Sequence, residues 1–145
     1  MKGVTPLANI LIFEDDLFLV ESWQNVLGAA GHQVEHTANL DTAMAKIYEG
    51  DVDIVLVDIF IQENHQQVPR GGIMLISKIH MIALENRPWL IAVSGRSSDS
   101  RLSVLEVAKR VGADEYLKKP VDLRELITVV DRAIRARSND LGPSS

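Results

Sequence analysis

An α/β fold, built on a five-stranded parallel sheet with helices on both faces, is the expectation that three features of this 145-residue sequence support. Short apolar runs of strand length alternate with longer segments of helical period. The runs Ile10 to Phe13, Ile54 to Val57 and Leu90 to Val93 are apolar without a break, as strands buried on both faces require. Each right-handed crossover between parallel strands lays its helix on one face, so four crossover helices and a final helix cover the sheet.

Ile10-Leu11-Ile12-Phe13 reads as the first strand. Leu19, Trp23, Val26, Leu27 and Ala30 follow at helical spacing, and the helix stops at Gly31. Gln33 to His36 is a weaker second strand, after which Leu40, Ala43, Met44 and Ile47 mark a short helix closed by Gly50. Asp53 to Val57 is the third strand. A polar stretch from Gln62 to Gly72, with Pro69 and Gly71-Gly72, reads as a loop. The third helix is expected over Ile73 to Glu85, with Leu75, Ile76, Ile79 and Ala83 on one face, and the fourth strand over Trp89 to Val93 after Pro88. Asp99 caps a helix carrying Leu102, Leu105 and Ala108 that ends at Gly112, and Glu115 to Leu117 is the last strand. Asp122 and Glu125 have capping-box spacing, and Leu123, Leu126, Ile127, Val130 and Ile134 stripe the last helix.

Composition narrows the function. With 46% apolar and 24% charged residues the chain can bury a core, which excludes a disordered or collagen-like protein. A net charge of −5 argues against direct nucleic-acid binding, which needs a basic face. The absence of cysteine removes disulfides, thiolate metal sites and a thiol nucleophile, and it fits a reducing compartment. No apolar run approaches the ~20 residues of a membrane span. Met1 to Asn9 has one lysine and no signal-like stretch, so a cytoplasmic location without membrane contact is the default expectation.

In open parallel sheets ligands bind at the carboxyl ends of the strands, so the residues there form one set. They are Glu14, Asp15 and Asp16 after the first strand, Asp58 at the end of the third, Ser94-Gly95 after the fourth, and Lys118-Lys119-Pro120 after the fifth. Converging carboxylates repel unless a cation offsets them, and hard oxygen ligands in this number suit Mg²⁺. A lysine opposite the metal matches a phosphoryl group, with Asp58 as the nucleophile. Asp16 reads as a helix cap and Lys118 as a solvated neighbour of Lys119. His32, His36, His65 and His80 lack metal-ligand spacing, Trp23 and Trp89 read as packing, and Arg124, Arg132, Arg135 and Arg137 as a solvated helix face.

The segments Ile12-Phe13-Glu14-Asp15-Asp16, Val55-Leu56-Val57-Asp58, Ala92-Val93-Ser94-Gly95 and Gly112 to Pro120, in that order, make the sequence resemble the receiver domain of two-component response regulators from about Ala8 to Arg137. That resemblance implies a flavodoxin-like doubly wound sheet of strand order 2-1-3-4-5 with five helices, occupying residues 8–137, with flexible termini at 1–7 and 138–145. It also implies roles. Glu14 and Asp15 are the metal-binding acidic pair, Asp58 the phosphoacceptor, Ser94 the hydroxyl that bonds the phosphoryl group, Tyr116 the aromatic switch and Lys119 the lysine of the Lys-Pro pair. Phe60 offers Mg²⁺ its backbone carbonyl. The partners implied are a sensor histidine kinase or phosphotransfer protein and a downstream target, with a homodimer through the last two helices and last strand as an option. The chain is then a regulatory domain that takes part in its own phosphorylation and dephosphorylation, and not a turnover enzyme.

Two alternatives stand beside this reading. An aspartyl-phosphate phosphatase or phosphotransferase of the haloacid-dehalogenase type needs a second aspartate two residues after the nucleophile, where this chain has Phe60. A receiver-like interaction module that is never phosphorylated would leave five clustered polar residues without a purpose. The sequence also departs from the family pattern. On the pattern the resemblance implies, most relatives carry a proline four positions after the phosphoacceptor and a glycine about eight after it; here position 62 is Gln and Gly72 lies fourteen positions on. The loop thus holds roughly six extra residues beside the site, and Phe60 and Arg96 flank the route of a hydrolytic water.

Overall fold

The computed structural model describes residues 7–59, 61–63, 66–68, 70–82, 85, 87–94, 110 and 112–141. Its elements in chain order are β1 (Asn9–Phe13), α1 (Leu17–Ala29), β2 (Gln33–Thr37), α2 (Leu40–Tyr48), β3 (Ile54–Asp58), β4 (Ile61–Glu63), β5 (Gln66–Val68), α3 (Arg70–Ile79), β6 (Trp89–Ser94), β7 (Glu115–Lys118) and α4 (Leu123–Leu141). Five strands pair in parallel in the order β2-β1-β3-β6-β7. This is the doubly wound order expected, because β4 and β5 stand outside the main sheet. The helix expected from Asp99 to Gly112 and the terminus at 1–7 fall largely outside the described residues. Of the tail expected to be flexible at 138–145, residues 138–141 are instead the last turn of α4.

Strand side chains alternate between faces, and the core divides accordingly. Ile10, Ile12, Ile54, Leu56, Ile91 and Val93 pack with Val20, Trp23 and Leu27 of α1 and Leu126, Val130 and Ala133 of α4. Leu11, Phe13, Val55, Val57, Leu90 and Ala92 pack on the other face with Ala43, Met44 and Ile47 of α2 and Leu75, Ile76 and Ile79 of α3. All five residues of β3 are buried, including Asp58 at its carboxyl end.

Capping follows the sequence. The Asp16 carboxylate accepts from the Phe18 and Leu19 amides at 3.0 and 3.3 Å, and Asp122 accepts from Arg124 and Glu125 at 2.8 and 3.3 Å. The third helix differs from expectation at both ends. It begins at Arg70 because Gly71 and Gly72, read from sequence as loop residues, form its first turn against β3. It stops at Ile79, where the Met81 and Ile82 amides bond back three residues to Lys78 and Ile79 and tighten the turn. The polar stretch after β3 is likewise not simply a loop. It holds the antiparallel hairpin β4–β5, with Ile61 opposite Val68 and Glu63 opposite Gln66.

Polar side chains tie elements together. His80 Nε2 donates to the Gly112 carbonyl at 2.7 Å, while Arg87 donates to Nδ1 at 3.0 Å, so the end of α3 is pinned to the lead-ins of β6 and β7. Gly112 has φ +112°, and any Cβ there would collide with the His80 ring. Two arginines of the last helix are more than a solvated face. Arg132 makes a two-pronged bond to Glu115 at 2.8 and 3.1 Å, and Arg137 reaches Asp53 at 3.2 Å. Distant carboxylates brought alongside by the sheet account for the difference.

His32 is buried, and its Nδ1 accepts the Ala8 amide at 3.1 Å. Burial lowers its pKa below the ordinary 6.5, against a smaller opposing pull from Asp131. The neutral ring therefore belongs to the folded state, and its stabilising contribution is complete above pH 6.5 and is lost as the pH falls below that value. Urea unfolding should show stability declining from about pH 7.5 to about 5.5, with a shallower decline in His32→Asn, which retains an acceptor and does not titrate. Equal slopes for the two proteins would exclude this role.

Candidate functional site at the carboxyl end of the sheet

Two strand ends bring the acidic residues together. Glu14 follows β1, where its amide donates to Thr37 at 3.3 Å, and Asp58 closes β3 beside it. Glu14 is 1% exposed and Asp58 is 2% exposed, burial that isolated carboxylates cannot sustain. Asp15 joins them, and one carboxylate oxygen from each of Glu14, Asp15 and Asp58 lies within 4.8 Å of the others. Asp16 turns away to cap α1, and its amide donates to Glu14 Oε2 at 3.0 Å, which fixes the orientation of that carboxylate.

Lys119 supplies the opposing charge. Its Nζ lies 2.9 Å from Glu14 Oε1 and 3.5 Å from Asp58 Oδ2. The Glu14 contact is an ion pair, not an aligned hydrogen bond, since Oε1 lacks a partner of hydrogen-bonding geometry among the described residues. Burial pulls the Lys119 pKa down, but the charges of Asp58 and Glu14 outweigh it and hold the ammonium above the ordinary lysine value. Lys119 therefore stays protonated at any physiological pH. Lys118, still in β7 and paired with Ser94, is exposed, so the lysine beside Pro120 alone faces the carboxylates. The Lys119 amide donates to the Ser94 carbonyl at 2.8 Å and anchors that turn to β6.

Ser94 ends β6 at 4% exposure, one residue past Val93, the partner of Asp58. Tyr116 lies opposite Ala92, whose side chain shares a sheet face with Ser94 two residues on. Tyr116 packs against the α2–α3 core cluster, and its hydroxyl donates to the Ala113 carbonyl at 3.2 Å. Burial and the charges of Asp114 and Glu115 raise its pKa, so the phenol remains protonated. Phe60, Gly95 and Arg96 lie outside the described residues.

The residue that sequence reading did not assign to the site is Gly72. It is buried at the start of α3, and a Cβ there would stand 2.7 Å from Ile59 Cα and press on the Asp58 carbonyl. Only glycine permits this approach. The signal was the Gly71-Gly72 pair itself, whose distance from Asp58 along the chain hid its nearness in space.

The donor set suits a hard divalent ion. Among the described residues three carboxylate oxygens converge with one ammonium among them, the oxygen-rich environment Mg²⁺ prefers, and no imidazole is part of the cluster. Among the described residues no helix is long and apolar enough to cross a membrane.

Comparison with known proteins gives consistent matches. A family model described as the response regulator receiver domain matches residues 10–131. The DNA-binding transcriptional regulator NtrC of Azospirillum brasilense is 30% identical over 131 residues, covering 90% of this chain and 25% of the regulator. The transcriptional regulatory protein DltR of Streptococcus agalactiae is 25% identical over 132 residues, 91% of this chain and 53% of that protein. The chain thus spans about a quarter to a half of these relatives. Among solved structures, a CheY-like response regulator receiver domain protein of Methanospirillum hungatei superposes with a TM-score of 0.76 at 26% identity, covering 93% of this chain and 99% of that one.

Proposed function

The chain belongs to the response regulator receiver domain family, and from that premise we propose that Asp58 accepts a phosphoryl group from a phosphohistidine on a sensor kinase or phosphotransfer protein. The observation that carries this reading is Lys119, whose ammonium spans Glu14 and Asp58 at the carboxyl edge of the sheet. An Asp58 carboxylate oxygen attacks the phosphorus in line, and the bond to the donor imidazole nitrogen breaks with its electron pair going to the ring. On this reading Lys119, held protonated, would leave Asp58 for an equatorial phosphoryl oxygen, and Ser94 would donate its hydroxyl to another. Glu14, Asp15 and Asp58 would hold Mg²⁺, which supplies charge neutralisation between carboxylates and phosphoryl group. On the family's pattern the Phe60 carbonyl would complete that set. Residues 8–137 would form the unit that does this.

The experiment is Asp15→Asn. It removes one carboxylate while leaving Asp58 and Lys119 in place, and Mg²⁺ affinity should fall roughly tenfold or more, in line with the loss of one anionic ligand. Intact-mass labelling by phosphoramidate should drop with it. An Mg²⁺ titration that matches the wild-type protein would reduce the acidic pair to a helix-end device.

The same site is proposed to act as a switch. A phosphoryl group on Asp58 draws the Ser94 hydroxyl inward, and Tyr116, on the same sheet face, turns into the space released. Such a local contact shifts two conformations only by its differential affinity for them, about 1–3 kcal/mol. Beryllofluoride, which mimics the group on Asp58, should shift the NMR signals of Ser94, Tyr116 and Leu117, and Ser94→Ala should confine the shifts to the acidic cluster. Unchanged Tyr116 signals in the wild-type protein would exclude the coupling.

A further inference from the structure

The excursion between β3 and α3 leaves and rejoins the sheet edge at one place. The Ile59 amide donates to the Val93 carbonyl at 3.0 Å, so the chain is still tied to β6 one residue past Asp58. It is back against the end of β3 at Gly72, whose backbone lies on Asp58 and Ile59. Between these points β4 and β5 pair only with each other among the described strands, and β4 lies alongside α3. Both feet of the hairpin therefore stand at the end of the strand that carries Asp58. Three residues per strand make each strand about 10 Å long, more than the width of a phosphoryl group.

We infer that the β4–β5 hairpin is a wall on the α3 side of the site that limits the approach of water to a phosphoryl group on Asp58 and so prolongs its lifetime. The inference rests on the phosphoacceptor reading above. In the step being slowed, a water oxygen attacks the phosphorus and the bond from phosphorus to the Asp58 oxygen breaks. The carboxylate keeps the bonding pair, inorganic phosphate leaves, and the surplus proton of the water passes to solvent.

The test compares the wild-type chain with two variants. In one, residues 61–68 are replaced by a Gly/Ser segment of the same length that keeps the span but cannot hold the strand pairing. The other is the milder double variant Ile61→Gly/Val68→Gly. Each protein is charged with phosphoramidate and Mg²⁺, freed of donor, and followed by intact mass, with circular dichroism to verify folding. The Gly/Ser variant should lose its phosphoryl group about fivefold faster or more, the gain expected from opening a site to solvent, with the double variant between the two. Should the Gly/Ser variant fail to fold, the double variant decides. Decay at the wild-type rate in a folded variant overturns the wall. Absence of phosphoryl uptake by the wild-type chain overturns the phosphoacceptor reading and the wall together.

Discussion

Asp58→Asn protein incubated with Mg²⁺ and phosphoramidate should remain at its unmodified mass, while the wild-type chain gains a single phosphoryl group. The substitution preserves size and shape at a position that is 2% exposed, so the sheet should be unaffected. What disappears is the anionic nucleophile, since an amide oxygen or nitrogen cannot form the acyl phosphate, and uptake should fall to below about one hundredth. Removing one of three crowded carboxylates also relieves their repulsion, and Lys119 retains Glu14 at 2.9 Å. Denaturant stability measured in parallel should therefore not collapse with the labelling. Labelling that persists at the wild-type level in Asp58→Asn would place the phosphoryl group on another residue.

Gly72→Ala should be the most damaging single-methyl change near the site. On helix propensity alone alanine is favoured over glycine by about 1 kcal/mol. Here the added carbon would sit 2.7 Å from Ile59 Cα and 3.0 Å from the Asp58 carbonyl carbon, against backbone and not against a yielding side chain end. The overlap can be relieved only by moving α3 off β3 or by shifting the end of β3, at a cost of about 2–3 kcal/mol. Overlap outweighs propensity, and urea unfolding should report a net loss. Because Asp58 is the residue displaced, phosphoryl uptake should slow as well. A variant as stable as the wild type, or more so, would show that the first turn of α3 gives way freely.

The acidic cluster is legible in the sequence because its members sit at the ends of unbroken apolar runs, and parallel topology sends all such ends to one edge. Glu14, Asp58 and Ser94 each lie at the end of a strand whose apolar run is plain in the sequence. The caps at Asp16 and Asp122 are legible for a similar reason, since a cap is defined by the few residues after it. The boundaries of α3 are not. Gly71 and Gly72 carry the local signature of a loop, and the contact that Gly72 makes as part of the helix is with a strand more than ten residues earlier. The hairpin is hidden for the opposite reason: three-residue strands of mostly polar composition are too short to show a period.

By itself the sequence determined the alternation of strands and helices, the two-sided burial of the sheet and the chemical character of its carboxyl edge. All of these follow from side-chain periods of about two and 3.6 residues, which the backbone imposes locally. The tertiary structure alone decided that Lys119 reaches 2.9 Å from Glu14, that Gly72 carries α3 onto the Asp58 backbone, and that Arg137 leaves the solvated face of its helix for Asp53. Those pairings join residues 105, 14 and 84 positions apart in the chain. No local rule selects them, because which distant groups meet depends on how every intervening element packs, and a shift of one residue in a strand's register would send each side chain to the other face.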